Sequence, residues 1–200
     1  MSLKNHFMIF WAGHCQKGKQ VIASCVDSCK SYEGLNKVRP QPLTTENTLT
    51  IELTDETATQ ELACLLAALV HEGEQLALRG DLGAGKTVFA RAFIRALCGL
   101  KIEVPSPTFT LVQIYDTLDR RTIFHFDLYR LEDPDEALQL DIDDAFANGI
   151  SLIEWPERLG YLLPREHLEI ALDHGDEEQQ RRCTISGPDS WSERLRDLSL

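Results

Sequence analysis

The sequence has no apolar run near the roughly 20 residues that a membrane-spanning helix needs; its longest candidates are Ala63 to Val70 and Phe7 to Ala12. A transmembrane role is not expected. It also lacks a paired C-x-x-C with a second ligand pair, so Cys15, Cys25, Cys29, Cys64, Cys98 and Cys183 form no zinc pattern. Cys64 and Cys98 fall inside apolar helical patterns, where a reduced thiol behaves as a small hydrophobe. Free thiols, and hence a reducing cytoplasm, are the expectation. Residues 1–14 offer one early Lys and a six-residue apolar run, too little for a secretory leader. Proline and glycine are sparse at 8 and 12, and 43% of the 200 residues are hydrophobic, enough for one packed soluble domain.

Basic charge is scarce as well. Lys and Arg number 20 against 32 Asp and Glu, a net charge of −12. A surface that repels phosphate excludes a strong autonomous grip on nucleic acid. The imbalance is uneven, since residues 1–50 hold 6 basic and 3 acidic residues and residues 51–200 hold 14 and 29. Together with the absence of any sustained period before Leu49, this predicts a loosely ordered extension over 1–48, a boundary near Pro40 to Asn47, and a domain over 49–200.

From Leu49 the pattern is regular. Residues 49–53 alternate as a half-buried strand, and Thr54-Asp55 caps a helix carrying Ala58, Leu62, Leu65, Leu66, Leu69 and Val70, which ends near Gly73. Residues 75–79 read as a strand, 80–85 as a glycine turn, and Phe89, Ala92, Phe93, Ala96 and Leu97 as one face of the next helix. Phe109 to Tyr115 and Thr122 to Asp127 predict a hairpin, Pro134 to Ala147 one or two acidic helices, and Ile150 to Glu154 a buried strand. His167 to Leu172 with Arg182 to Ile185 predict a second hairpin, and Trp191, Leu195 and Leu198 a closing helix. An antiparallel pair beside a parallel unit gives an α/β, three-layer P-loop fold with a mixed central sheet.

The glycine turn carries the chemistry. Gly80-Asp81-Leu82-Gly83-Ala84-Gly85-Lys86-Thr87 fits G-x-x-x-x-G-K-[ST] between a predicted strand and a predicted helix. Glycines let backbone N–H groups converge on an anion, and the helix N-terminus adds partial positive charge at the same point. Lys86 would reach the outer phosphates and the Thr87 hydroxyl would ligate Mg2+. Asp127 and Glu154 each end an apolar strand, as a metal-holding acid of such a site must. The only Asn-Lys pair, at Asn36-Lys37, lacks the Asp of an N-K-x-D guanine element, and no D-x-x-G switch occurs, so ATP is favoured over GTP. His125, between Phe124 and Phe126, reads as a strand-face histidine. The acids Asp133, Asp135, Glu136, Asp141, Asp143 and Asp144 read as a solvated face that could also steer a basic partner.

Four motifs in order, G-D-L-G-A-G-K-T at 80–87, S-P-T-F-T-L at 106–111, H-F-D-L-Y-R-L at 125–131 and E-W-P-E at 154–157, resemble the TsaE (YjeE-type) family of small bacterial P-loop ATPases. The resemblance covers about residues 49–186. It implies a Mg2+-dependent ATPase serving threonylcarbamoyl-adenosine synthesis beside the tRNA anticodon, bound to the TsaD and TsaB proteins and touching tRNA only through them. Carried onto this sequence, it implies Lys86, Asp127 and Glu154 as catalytic and Thr87, Asp127 and Glu154 as metal-associated. It further implies nucleotide contacts at Thr59, Asp81, Leu82, Gly83, Ala84, Gly85, Lys86, Thr87, Val88, Thr108 and Trp155. A basic residue near the base falls on Arg181 or Arg182, of which we assign Arg182. Val88 stands where the family commonly has a second Thr, which leaves the Thr87 ligand intact. Two rivals remain at this level: a small-molecule kinase, and a nucleotide switch that does not need hydrolysis.

Overall fold

The computed structural model describes residues 38–40 and 48–196. Strands β1 (Val38–Pro40) and β2 (Thr48–Leu53) precede helix α1 (Glu56–Leu69), β3 (Gln75–Arg79) and α2 (Lys86–Cys98). The hairpin β4 (Val112–Asp116) and β5 (Thr122–Asp127) leads through a 3-10 segment, Pro134–Leu140, to α3 (Ile142–Asn148) and β6 (Ile150–Glu154). A second 3-10 segment, Pro156–Leu162, then β7 (Leu168–His174), β8 (Arg181–Ser186) and α4 (Asp189–Arg196) complete the described chain.

The strands form one mixed sheet in the order β1-β2-β8-β7-β3-β6-β5-β4. The four central strands β7, β3, β6 and β5 are parallel, and the flanks are antiparallel. Burial explains the patterning. β3 and β6 are covered on both faces, so Leu76, Ala77, Leu78, Leu152 and Ile153 run almost continuously apolar. β2 lies further out and alternates, burying Leu49, Ile51 and Leu53.

One face of the sheet packs on α1, α2 and α4, where Leu62, Leu66, Phe89, Phe93 and Trp191 meet Leu78, Ile123, Leu152 and Ile170. The other face packs Phe124, Phe126 and Ile153 against Ile142, Ala145 and Leu159. This is the expected three-layer α/β architecture. Because side chains alternate along β5, His125 and Asp127 share the face of Ile123, on the side of α1 and α2. Asp55 caps α1 as expected, its carboxylate accepting from the Ala58 N–H at 2.9 Å.

Two elements differ from expectation, the first hairpin strand and Val38–Pro40, while the acidic segment takes the two-helix form of the two expected. The first hairpin strand begins at Val112 rather than Phe109, because the Leu111 N–H turns back to the Pro107 carbonyl at 2.6 Å and Leu111 adopts φ +64°. The acidic segment is 3-10 up to Leu140 and α-helical only from Ile142, with Asp141 in the left-handed region between them. Val38–Pro40, inside the segment read as an extension, pairs antiparallel with β2. Thr48, its last residue, opens β2, and residues 1–37 and 41–47 together with Leu198 lie outside the described residues. The described cysteines Cys98 and Cys183 are free thiols, and burial pushes the Cys98 thiol up to about 12.

Candidate functional site

The parallel strands β3, β5 and β6 all end at the same edge of the sheet, where ligands bind in open α/β folds. The turn after β3 opens α2. Gly80 has φ +137°, and a Cβ there would sit 2.3 Å from the Leu172 carbonyl oxygen, so only glycine passes this close to β7. Gly83 and Gly85 also have positive φ, and a Cβ on either would meet nothing within 4 Å. Successive turns of this kind with the first amides of a helix form an anion-binding cradle.

Lys86 is buried at the base of that cradle. Its ammonium donates to the carbonyl of Gly80 and, at 2.9 Å, to that of Asp81, and lies 3.8 Å from the centroid of the Trp155 ring. Burial holds it below the usual lysine range, opposed by the carboxylates of Glu154, Glu157, Asp127 and Asp81. Trp155 reaches this position because it follows Glu154 in a left-handed turn (φ 61°, ψ 51°), unusual for a bulky residue. The Tyr129 ring meets Trp155 at a tilt of 51°, with ring centroids 5.0 Å apart.

The two strand-end acids face each other in register. Glu154 accepts from the Thr87 hydroxyl at 2.8 Å through Oε2, while its Oε1 lies 2.9 Å from His125 Nε2. Asp127 accepts from Ser106 Oγ at 2.8 Å and Thr108 Oγ1 at 2.6 Å, both on Oδ2, and from the Tyr129 N–H at 3.3 Å on Oδ1. Lys86, Thr87, Thr108, Asp127, Glu154 and Trp155 are therefore gathered at one place.

Other expected residues are placed differently. Asp81 and Leu82 stand on the exposed rim of the loop, Leu82 being 77% exposed, and Ala84 is buried beneath it. Thr59 is buried in α1 with its hydroxyl 3.5 Å from its own helix at the Asp55 carbonyl. Val88 faces a groove between α1 and α2 of about 310 Å³, with Glu56, Gln60 and Arg91. Arg182, the residue assigned to the base, pairs its guanidinium with Glu52 at 2.7 Å on the outer part of the sheet. Arg181 is the residue at the loop, donating to Ala84 O at 3.1 Å and Gly83 O at 3.2 Å as well as to the carbonyls of Glu178 and Gln180.

Sequence reasoning passed over Ser106 as a site residue and the contact of His125, and of the two candidate arginines it assigned Arg182 rather than Arg181. The i, i+2 relation of His125 to Asp127 was the available signal for the His125 contact.

The oxygen-rich set of Thr87, Asp127 and Glu154 suits Mg2+, which takes few protein ligands and completes its shell with phosphates and water. Among the described residues there is no cluster of three or more His, Cys, Asp or Glu that could cage a metal. Nor is any described helix long and apolar enough to cross a membrane.

Comparison with known proteins identifies the family. The chain is 42% identical over 133 residues to the tRNA threonylcarbamoyladenosine biosynthesis protein TsaE of Rickettsia felis, covering 66% of this chain and 77% of that protein. It is 39% identical over 130 residues to the protein of the same name from Bacillus subtilis, covering 64% and 80%. The crystal structure of Bacillus subtilis YdiB superimposes with a TM-score of 0.63 at 28% identity, over 76% of this chain and 94% of that one. The family model for the threonylcarbamoyl adenosine biosynthesis protein TsaE matches residues 53–183, which include the phosphate loop, both strand-end acids and both arginines of β8. The chain belongs to the TsaE family.

Proposed function

We propose that this chain is a cytoplasmic Mg2+-dependent ATP hydrolase that serves threonylcarbamoyl-adenosine synthesis on tRNA, working with TsaD and TsaB so that the modification turns over repeatedly. The observation that carries the reading is the meeting of Lys86, Thr87, Asp127 and Glu154 at the carboxyl ends of β3, β5 and β6. The residues fit the ligand. The positive-φ glycines leave the loop open to an anion, and the donors are the hard oxygens that Mg2+ selects.

Bound Mg2+ would neutralise charge on the phosphate oxygens of ATP, held by Thr87 and by Asp127, directly or through water. Lys86 binds the outer phosphates as a point charge, strengthened by its dry surroundings. Glu154 keeps the Thr87 hydroxyl aligned and presents a carboxylate to metal or attacking water. Trp155 walls the lysine from solvent.

Hydrolysis by the isolated chain is expected to be slow. Among the described residues, the arginines close to the site are engaged elsewhere: Arg181 on loop carbonyls, Arg130 4.3 Å from the Phe109 ring, Arg79 on Glu169. A partner that supplies a cation or orders the site is the natural activator. The net charge of −12 fits service to tRNA through proteins rather than through direct binding.

The test is reconstitution with TsaD, TsaB and a source of the carbamoyl-adenylate, counting modified tRNA per TsaD. Multiple turnovers should require this chain, and Lys86→Ala should abolish the requirement's fulfilment. ADP release that depends on a small-molecule acceptor would establish a kinase instead. Full modification by a variant that binds but cannot hydrolyse ATP would establish a switch.

A further inference from the structure

We propose that His125 is a positioning residue for this hydrolysis, fixing the carboxylate of Glu154 so that Glu154 in turn aims the Thr87 hydroxyl. The inference rests on the ATPase reading. It explains a residue that packing does not.

His125 is fully buried, at 0% exposure, in the middle of β5. A strand-face position walled from water is filled at least cost by an apolar side chain, and a buried imidazole must recover its lost hydration through hydrogen bonds. Among the described residues it makes one: Nε2 lies 2.9 Å from Glu154 Oε1, while Nδ1 has no hydrogen-bond partner there. The single polar commitment of the ring is therefore to the acid of the site. Since a carboxylate only accepts, Nε2 carries the proton in this bond.

Register explains the reach. β5 and β6 pair His125 with Leu152 and Asp127 with Glu154, so His125 meets Glu154 diagonally, two positions along the neighbouring strand. Phe124 and Phe126 face the opposite core and cannot compete for that side.

The consequence lies in the geometry of Thr87. The terminal torsion of a Glu side chain is soft, so one donor leaves the carboxylate free to swivel. Here donors from two elements, Thr87 on α2 and His125 on β5, hold one oxygen each. A hydroxyl has one proton and two lone pairs. With its proton directed to Glu154, Thr87 turns its lone pairs elsewhere, as a cation ligand must. Without His125, Glu154 can rotate and the direction of the Thr87 proton is lost.

The test compares His125→Leu, which removes the donor, with His125→Gln, whose amide N–H can reach the place of Nε2. For each, four quantities are measured: kcat for ATP, Mg2+ affinity of the complex with a non-hydrolysable ATP analogue, analogue affinity in EDTA, and Tm. Outer-shell partners of metal sites typically contribute 10–100-fold in metal affinity or activity. His125→Leu should therefore lower kcat and Mg2+ affinity by about 10–100-fold while metal-free analogue affinity and Tm are preserved, and His125→Gln should recover most of the loss. Wild-type kcat and Mg2+ affinity in His125→Leu would overturn the proposal. So would loss of metal-free binding and Tm in both variants, the pattern of a purely structural residue. If the wild-type chain binds Mg2+ with the analogue but hydrolyses nothing, the ATPase reading fails, and the Mg2+ titration still decides whether His125 sets the site. A wild-type chain that binds no Mg2+ with the analogue overturns both.

Discussion

Asp127 and Glu154 end adjacent parallel strands, face each other in register and are both buried, at 4% and 1% exposure. Their supports differ in kind. Glu154 is held from the frame of the protein, by the first turn of α2 and the middle of β5. Asp127 is held from a connection, by Ser106 and Thr108 in the turn that Leu111 closes onto Pro107. Regular elements hold a side chain with the stiffness of the core, whereas a turn can trade one set of hydrogen bonds for another. The pair thus divides into an acid set by the fold and an acid whose setting a loop can change.

The strongest way to break the comparison is to remove the framed acid. Glu154→Ala should lower kcat for ATP by about 10²–10³-fold, the scale of losing one preorganised electrostatic group, with metal-free analogue binding retained. Single-turnover hydrolysis and a binding titration check it. The looser support should be worth less. Ser106→Ala with Thr108→Ala leaves Asp127 in place but strips both hydroxyl donors, and kcat should fall by about 10–100-fold. A double-variant loss equal to that of Glu154→Ala would erase the distinction between frame and loop. A smaller effect separates the two arginines of β8. Arg181→Ala releases the carbonyls of Gly83 and Ala84 and should weaken nucleotide binding by about tenfold, or about 1.4 kcal/mol, whichever base is carried. Arg182→Ala, acting on a surface pair with Glu52, should leave nucleotide affinity unchanged. Isothermal titration of both with ATP and GTP would decide it.

These particulars also mark what could be read from the amino-acid sequence. The glycine loop was legible because an anion cradle demands fixed residue types at fixed spacing, and the structure places the loop between β3 and α2. Strand-end placement of Asp127 and Glu154 was legible because buried parallel strands are apolar up to their ends. Their mutual register was not, since it depends on how β5 and β6 align across α3 and the 3-10 segment before it. Hence the alternation of β5 put His125 on the face of Asp127 but could not show that Glu154 lay within reach.

The different placing of Arg181 and Arg182 was hidden for a related reason. The turn closed by the Gly175 N–H on the Gln180 carbonyl aligns Asp173 with Arg182 and His174 with Arg181. Arg182 then falls in the row of Asp173 and Glu52, and Arg181 turns toward the loop. One residue more or less in that turn would exchange them, and sequence alone does not count it. Phe109 to Leu111 had strand propensity, which a local turn overrode.

The placing of Trp155 has a spectroscopic consequence. Its indole lies against the Lys86 ammonium, while Trp191 is buried on α4 against the Arg194 guanidinium. Phosphate that draws Lys86 away changes the charge next to one fluorophore and leaves the other alone. With Trp11 and Trp191 replaced by Phe, emission should shift in wavelength or intensity as nucleotide is added, and Lys86→Ala should remove the response. The chain would then carry its own optical readout of the phosphate loop, usable inside an assembled complex without a label.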